Sequence, residues 1–362
     1  MSDAIVNRMR ISIIVREDCK QSALQDGDEN RMWQSAWSMM VSINSRFAAA
    51  GLISAPDPTL LDIDMHDLWH MYWHGAINTA PDSPKLDRLV LQIIQSREQG
   101  TLAVTTNSGR LGKTVAALAI TSEGYRIWTD LPFLVQDMTA HWIDNCAVMG
   151  SAQQLSGAQF LALLAAAGTA ADDTLCGIAL IVLREALETP RGFGHLTTRS
   201  WNPNRQLQDL SVADLLPAAN AWLFAAGRKL VQLSDVEWNR CPTDVGKLGE
   251  LVLAQSATND PIFVNVTLPS HGGFSPQRWT WWLQRLEQIA SLVLQDRLAA
   301  DVHDGQGSLV SLMQGMINNM VLIAEQTNGT IAKALRQSDR DVRHQAPMQQ
   351  LGPGRPGASN TG

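Results

Sequence analysis

The chain has 362 residues, 45% of them hydrophobic and 17% charged, and its 28 basic and 35 acidic side chains leave a formal charge of −7. This composition excludes collagen-like, coiled-coil and disulfide-dense chains, and it supplies enough apolar surface to offset the ordering entropy of a folded domain. Mild acidity argues against general nucleic-acid binding, which needs basic stripes to neutralise phosphates.

In chain order, residues 1–30 read as a poorly defined N-terminal segment, with an apolar run at Ile11–Val15 too short for a secretory signal. From Arg31 to Ala50, Trp33, Trp37, Met40 and Phe47 recur at helical spacing and Gly51 is a natural stop. A second helix spans Asp67 to Asn78, with Trp69, Tyr72, Trp73 and Ile77 on one stripe. Ser83-Pro84 opens a third, because serine caps free amides and proline fits the first turn. Thr101–Thr129 is less regular. Helical period resumes at Leu131–Ala147, and a capping-box spacing at Ser151 and Gln154 opens an Ala/Leu-rich helix to Gly168.

Asp172 or Asp173 starts the next helix, where negative charge suits the helix dipole, and Pro190 stops it. Arg191–Leu210 is a long loop. Ser211 restarts a helix, Pro217 is expected to kink or restart it, and Ser234 with Glu237 repeats the capping-box spacing. Ile262–Leu268 alternates with β-branched residues but has no evident ladder partner. Ser275-Pro276 opens a long helix striped by Trp279, Trp282, Leu286, Ile289 and Val293, which leaves Trp281 for a second core layer or an exposed contact. Leu309–Leu335 follows with Met313, Met316 and Met320 near one face, and the Gln-, Pro- and Gly-rich C-terminus reads as a tail. The expected fold is all-α without a credible sheet: an irregular multi-helix bundle or stacked helical hairpins. It is a single helical domain over residues 31–336, with a disordered tail over 337–362.

The four cysteines, Cys19, Cys146, Cys176 and Cys241, form no CxxC pair and suit a reduced interior. No segment reaches the roughly 20 apolar residues of a membrane span. The expected setting is therefore cytoplasmic, with the nucleus left open and no membrane. Asn107–Thr114 resembles a phosphate loop but lacks its first glycine, and no GxSxG elbow occurs. His66, His70 and His74, beside Asp62, Asp64 and Asp67, share one helix face at the i, i+4, i+8 spacing that histidine metal ligands use. Without the HExxH glutamate they read better as imidazoles bordering an aromatic core, so no metal and no cofactor is expected. Arg184, Glu185 and Glu188 suit local helical ion pairs.

Several ordered blocks of the chain carry a family likeness. They include Leu68-Trp69 with Tyr72-Trp73; Ser83-Pro84 with Asp87-Arg88-Leu89-Val90; and Trp128 to Pro132 with Asp137-Met138 and Trp142. They continue in Gly177 to Leu180 with Arg184, in Leu216 to Ala219 with Trp222-Leu223, and in Gly273 to Pro276 with Arg278-Trp279, Trp282-Leu283 and Arg285 to Glu287. Together they resemble a family of fungal proteins, domain of unknown function 3632; the resemblance implies a helical fungal protein and an association with secondary-metabolite genes, and it transfers no catalytic residue. Residues 103–123 and 257–271 fit it poorly and read either as loop insertions or as gene-model errors.

Two functions follow as expectations. The first is a protein-interaction scaffold or adaptor, suited to amphipathic helices and a tail. The second is a small-molecule enzyme or binding protein of secondary metabolism, with a pocket drawn from Trp69, His70, Trp73, His74, Asp87 and Arg88, a mixture of groups typical of ligand sites. A protein partner and a small molecule are the partner classes left open, and nucleic acid is disfavoured.

Overall fold

A computed structural model of the chain describes residues 3–25, 29–51, 57–107, 113–257, 272–300 and 306–345. Its architecture is all-α, as the periodicity implies. The N-terminal helices α1 (Asp3–Gln25), α2 (Glu29–Gly51) and α4 (Pro84–Glu98) surround α3 (Pro58–Ile77), which also packs on α5 (Leu134–Asn145) and α6 (Ser151–Ala166). The poorly defined segment expected at 1–30 is thus largely helix α1. Asp57 caps α3 by accepting the Thr59 amide at 3.0 Å, and Pro58 occupies its first turn. Leu61, Met65, Leu68, Trp69, Tyr72, Trp73, Ala76 and Ile77 are all buried, so α3 is covered nearly all round, as befits a helix at the centre of a layered core. Gly157 on α6 lets that approach happen, since a Cβ there would lie 3.1 Å from Trp73 and 3.2 Å from Ile77.

The second half builds on α7 (Gly177–Leu183), continued by a π-helical turn at Arg184–Glu188. Then come α8 (Val212–Ala225), α9 (Gly227–Asp235), the short α10 (Thr243–Gly246), α11 (Glu250–Ala257), α12 (Pro276–Ala300), α13 (Gln306–Thr327) and α14 (Thr330–Gln345). α8 packs on α6 and joins the halves, while α12, α13 and α14 pack against α9. Trp281 is buried and donates to Gln255 at 2.5 Å, which makes it a second core layer. No helix among the described residues is long and apolar enough to cross a membrane.

Several local expectations need correction. β1 (Ala103–Asn107) and β2 (Lys113–Leu118) form an antiparallel ladder with a bulge at Val104/Thr105, so a small sheet exists within the stretch read as irregular. Its Val and Thr residues suit paired strands, and the connecting residues 108–112, the heart of the phosphate-loop lookalike, lie outside the described residues. α8 runs through Pro217 without a break, held by buried Leu215, Leu216, Ala218, Ala219 and Trp222 around it. Ser234 lies near the end of α9 and donates to Leu230 O, and Glu237 takes a left-handed φ of 52°, so this pair ends a helix instead of opening one. Asp172 and Asp173 are also left-handed, at φ 53° and 58°, and pair with Arg240 and Lys229. Trp37, expected inside, is 39% exposed. α14 extends to Gln345, past the expected tail boundary at 337, and residues 346–362 and Ile262–Leu268 lie outside the described residues.

One polar knot fastens the second half. Glu188 does not form the expected local helical pair. It receives Arg278 Nε at 2.7 Å and Nη2 at 3.0 Å, with both side chains fully buried. Trp282 Nε1 and the Gly249 amide, each at 2.7 Å, complete the carboxylate, while Arg278 also donates to the carbonyls of Gly246, Gly273 and Lys247. Arg184 donates to the carbonyls of Asp244 and Val245 in α10, just ahead of Lys247. Every guanidinium donor of Arg278 is therefore used, the condition under which a buried ion pair is tolerated. Gly273 must be glycine here: its φ is 79° and a Cβ would lie 2.4 Å from Trp238 O. Replacing Glu188 by Ala strands a buried guanidinium and should cost about 3–5 kcal/mol. Urea denaturation checks this, and an unchanged midpoint would refute the role assigned to the pair.

Candidate functional site

From its middle to its C-terminal end, α3 carries polar groups where a core helix usually has none. Asp67 is wholly buried and accepts Arg8 Nη2 at 2.8 Å, Ser12 Oγ at 2.5 Å and Arg16 Nε at 2.6 Å, all from α1. Asp64 takes Arg8 as well and Arg46 of α2 at 2.9 Å. These carboxylates neutralise one another's cationic partners and fix α1 along α3. They also bring Lys20, one turn beyond Arg16, to the end of α3.

The histidine stripe divides. His66 Nδ1 lies 2.8 Å from Asp137 on α5, and its ring stacks on Phe133 at 4.3 Å. His70 and His74 instead gather around His141 of α5, with ring centroids 4.4 Å apart for His70–His74 and 5.3 Å for His70–His141. Trp73 stacks parallel to His141 at 5.8 Å. His70 Nε2 meets the Arg16 carbonyl at 3.3 Å. No group of three or more His, Cys, Asp or Glu among the described residues is arranged to hold a metal ion.

Burial is the main reason why all three imidazoles of the cluster stay neutral. It lowers His70 and His141 from an ordinary 6.5 to about 4 and His74 to about 2. The mutual repulsion of the rings and the nearby cations Arg16 and Lys20 add to this, opposed by the Arg16 backbone hydrogen bond and Asp67 on His70 and by Asp137 on His141.

A cleft of about 130 Å³ opens beside this cluster, lined by Lys20, His74, Ile77, Asn78, Asn145, Gln153 and Trp201. Its amides are braced: Asn78 donates to His74 O at 2.9 Å, Gln153 to Asn78 Oδ1 at 3.2 Å, and Asn145 to His141 O at 2.7 Å. Gln153 Oε1 in turn accepts the Gly150 amide, so the cap of α6 uses Gly150 and Gln153, one residue earlier than the expected Ser151 and Gln154. Ser151 and Gln154 serve the loop instead. Arg199 N donates to Ser151 Oγ and its guanidinium to Gln154 Oε1, while Arg205 donates to Met149 O and Asn202 N to Val148 O. The segment Arg191–Leu210 is thus a strap tied across the end of α6, and it carries Trp201 to the cleft.

Of the six pocket residues expected from sequence, His74 lines the cleft, and His70 and Trp73 stand with it in the cluster. Trp69 is buried in the core and donates to Pro132 O at 2.7 Å. Asp87 and Arg88 lie exposed on the first turns of α4 and do not line the cleft. Sequence reasoning missed Lys20, Asn78, His141, Asn145, Gln153 and Trp201; the only helical spacings they make are His141 to Asn145 on α5 and His74 to Asn78 at the end of α3, and the rest come from separate elements.

The family described as protein of unknown function (DUF3632) matches residues 69–286. A Penicillium oxalicum (strain 114-2 / CGMCC 5302) protein, "Oxopyrrolidines biosynthesis cluster protein G", is 32% identical over 341 residues, covering 92% of this chain and 85% of the relative. The chain belongs to the DUF3632 family. No solved structure matches it. The matched DUF3632 region contains the histidine cluster, the strap and both halves of the Arg278–Glu188 knot, whereas α1 and its Lys20 precede it.

The histidines set a pH dependence. Each is neutral when folded and recovers its ordinary pKa when unfolded, so the unfolded chain binds more protons between the two values. Their contribution is complete above about pH 6.5 and lost as pH falls toward about 4. Urea midpoints measured from pH 7.5 to 4 should fall, and His141→Gln should flatten that fall relative to wild type. An equally steep profile in the variant would contradict the assignment.

Proposed function

We propose that the chain serves a fungal secondary-metabolite pathway by binding a small polar molecule in the cleft between α1, α3, α5 and α6. The observation that carries this reading is the composition of the cleft wall. A lysine, three carboxamides, a neutral imidazole and an indole converge there, the sparse polar set on an apolar frame that fixes a ligand's orientation. The relative's name supplies a candidate class, the oxopyrrolidines. Such a lactam offers an N–H and a carbonyl to carboxamides, a flat ring to Trp201, and, when acidic, an anionic oxygen to Lys20.

Binding suits the site better than acid–base chemistry. A general base works best with a pKa near the operating pH, and His70 and His141 are held near 4. They act here as uncharged hydrogen-bonding and stacking groups.

A second reading, the scaffold or adaptor, is supported by α1. Its outer side leaves Val6, Met9, Ile11, Ile13 and Ile14 exposed, an apolar surface of the kind that marks protein contacts.

Calorimetric titration with 5-oxopyrrolidine-2-carboxylate tests the first reading. Saturable binding is expected. Lys20→Ala and Asn145→Ala should each weaken it roughly tenfold, the loss of one charge-assisted or well-placed hydrogen bond. Absence of binding, or binding indifferent to both substitutions, would overturn it.

A further inference from the structure

α1 turns charged residues inward and leaves large apolar ones outside, among exposed polar residues. The side facing α3 carries Arg8, Ser12 and Arg16, which bond Asp64 and Asp67. The opposite side carries Ile13 at 71% exposure and Ile14 at 54%, with Val6, Met9 and Ile11 also exposed. Because the ion pairs lock the rotation of the helix, it cannot turn these residues inward without stranding buried charge. α2, packed on the same helix α3, adds exposed Trp37 and Val41.

Charge decides what covers this face. At 3.6 residues per turn, Val6, Arg10, Ile13, Ile14 and Glu17 share the outer side. Arg10 and Glu17 both sit on the outer surface, one on each side of the isoleucine pair. If a second α1 lies antiparallel about a two-fold axis between Ile13 and Ile14, Ile13 meets Ile14 of the other copy. Arg10 then meets Glu17, and the symmetry makes each contact twice. A parallel arrangement in register sets Arg10 against Arg10. The rim also carries Asp3, Asp18 and Lys20, a mixed set unlike the basic flanks of membrane-surface helices.

We infer that the chain self-associates through α1, as an antiparallel two-fold pair centred on Ile13 and Ile14 with reciprocal Arg10–Glu17 contacts. α1, at 23 residues and about 34 Å, offers less than the roughly 1,200 Å² of a standard stable interface. The pair is therefore a reversible one, assembling over micromolar concentrations. This inference deepens the scaffold reading and is independent of the cleft, so either can fail alone.

Sedimentation equilibrium of the full chain from 1 to 200 µM tests it. The weight-average mass should climb toward twice that of the chain. Ile13→Asp, a change at an exposed position, should weaken association at least tenfold while 5-oxopyrrolidine-2-carboxylate titrations keep their wild-type outcome. Arg10→Glu should weaken it as well, and the double exchange Arg10→Glu/Glu17→Arg should restore it. A monomer at every concentration, a dimer insensitive to Ile13→Asp, or failure of the charge exchange to restore pairing would overturn the proposal. So would Ile13-dependent binding of the monomer to phosphatidylcholine/phosphatidylserine vesicles, which would assign the face to lipid.

Discussion

The carboxylate of Asp67 is the constraint on which both proposed surfaces depend. It is wholly buried in the centre of α3, and a buried carboxylate is costly unless its lone pairs are filled. Three groups from α1 fill them. That requirement fixes the position of α1 along α3 and its rotation about its own axis. The position places Lys20 over the cleft; the rotation turns Ile13 and Ile14 to the outside. With leucine at position 67, only the Asp64–Arg8 pair would be left to hold the polar side of α1 inward.

The second half is organised by the same logic at a different site. Glu188 and Arg278 are 90 residues apart in sequence, yet they close one network with Trp282 and the loop at residues 246–249. The π-helical turn at Arg184–Glu188 shifts the helix phase where Arg184 and Glu188 reach α10 and the residues that follow it to Gly249, and such turns recur at functional or re-aimed positions. The two knots differ in purpose. The Glu188 network uses every polar atom internally and leaves nothing to meet a ligand. The α3 carboxylates, by contrast, position groups that face a cleft and the exterior.

Helical periodicity made most of the architecture legible. The caps at Ser83 and Ser211, the stripes of α4 and α12, and the all-α class follow from local spacing alone. The failures have physical causes. α1 carries no conventional apolar stripe because its inward side is charged, so its pattern resembles an unstructured segment. Pro217 stays inside α8 because tertiary packing outweighs a lost backbone bond. The β1–β2 ladder is too short to stand out from an irregular stretch. His70, Trp73 and His74 were visible as a cluster on one helix. Asp87 and Arg88 shared a family block with buried Leu89 and Val90, but their own side chains point to solvent. Tertiary structure brings α1, α5, α6 and the strap to His74, and the four-residue steps from His74 to Asn78 and from His141 to Asn145 are too common to announce a site.

Hydrogen exchange measured across the chain for wild type and Asp67→Ala tests the central claim most directly. If the buried carboxylate holds α1 in place, amides of Asp3–Gln25 should lose protection in the variant while those of α6 and α8 stay protected. Unchanged protection of α1 would show that other contacts hold it, and both the placement of Lys20 and the outward turn of Ile13 and Ile14 would need a different cause.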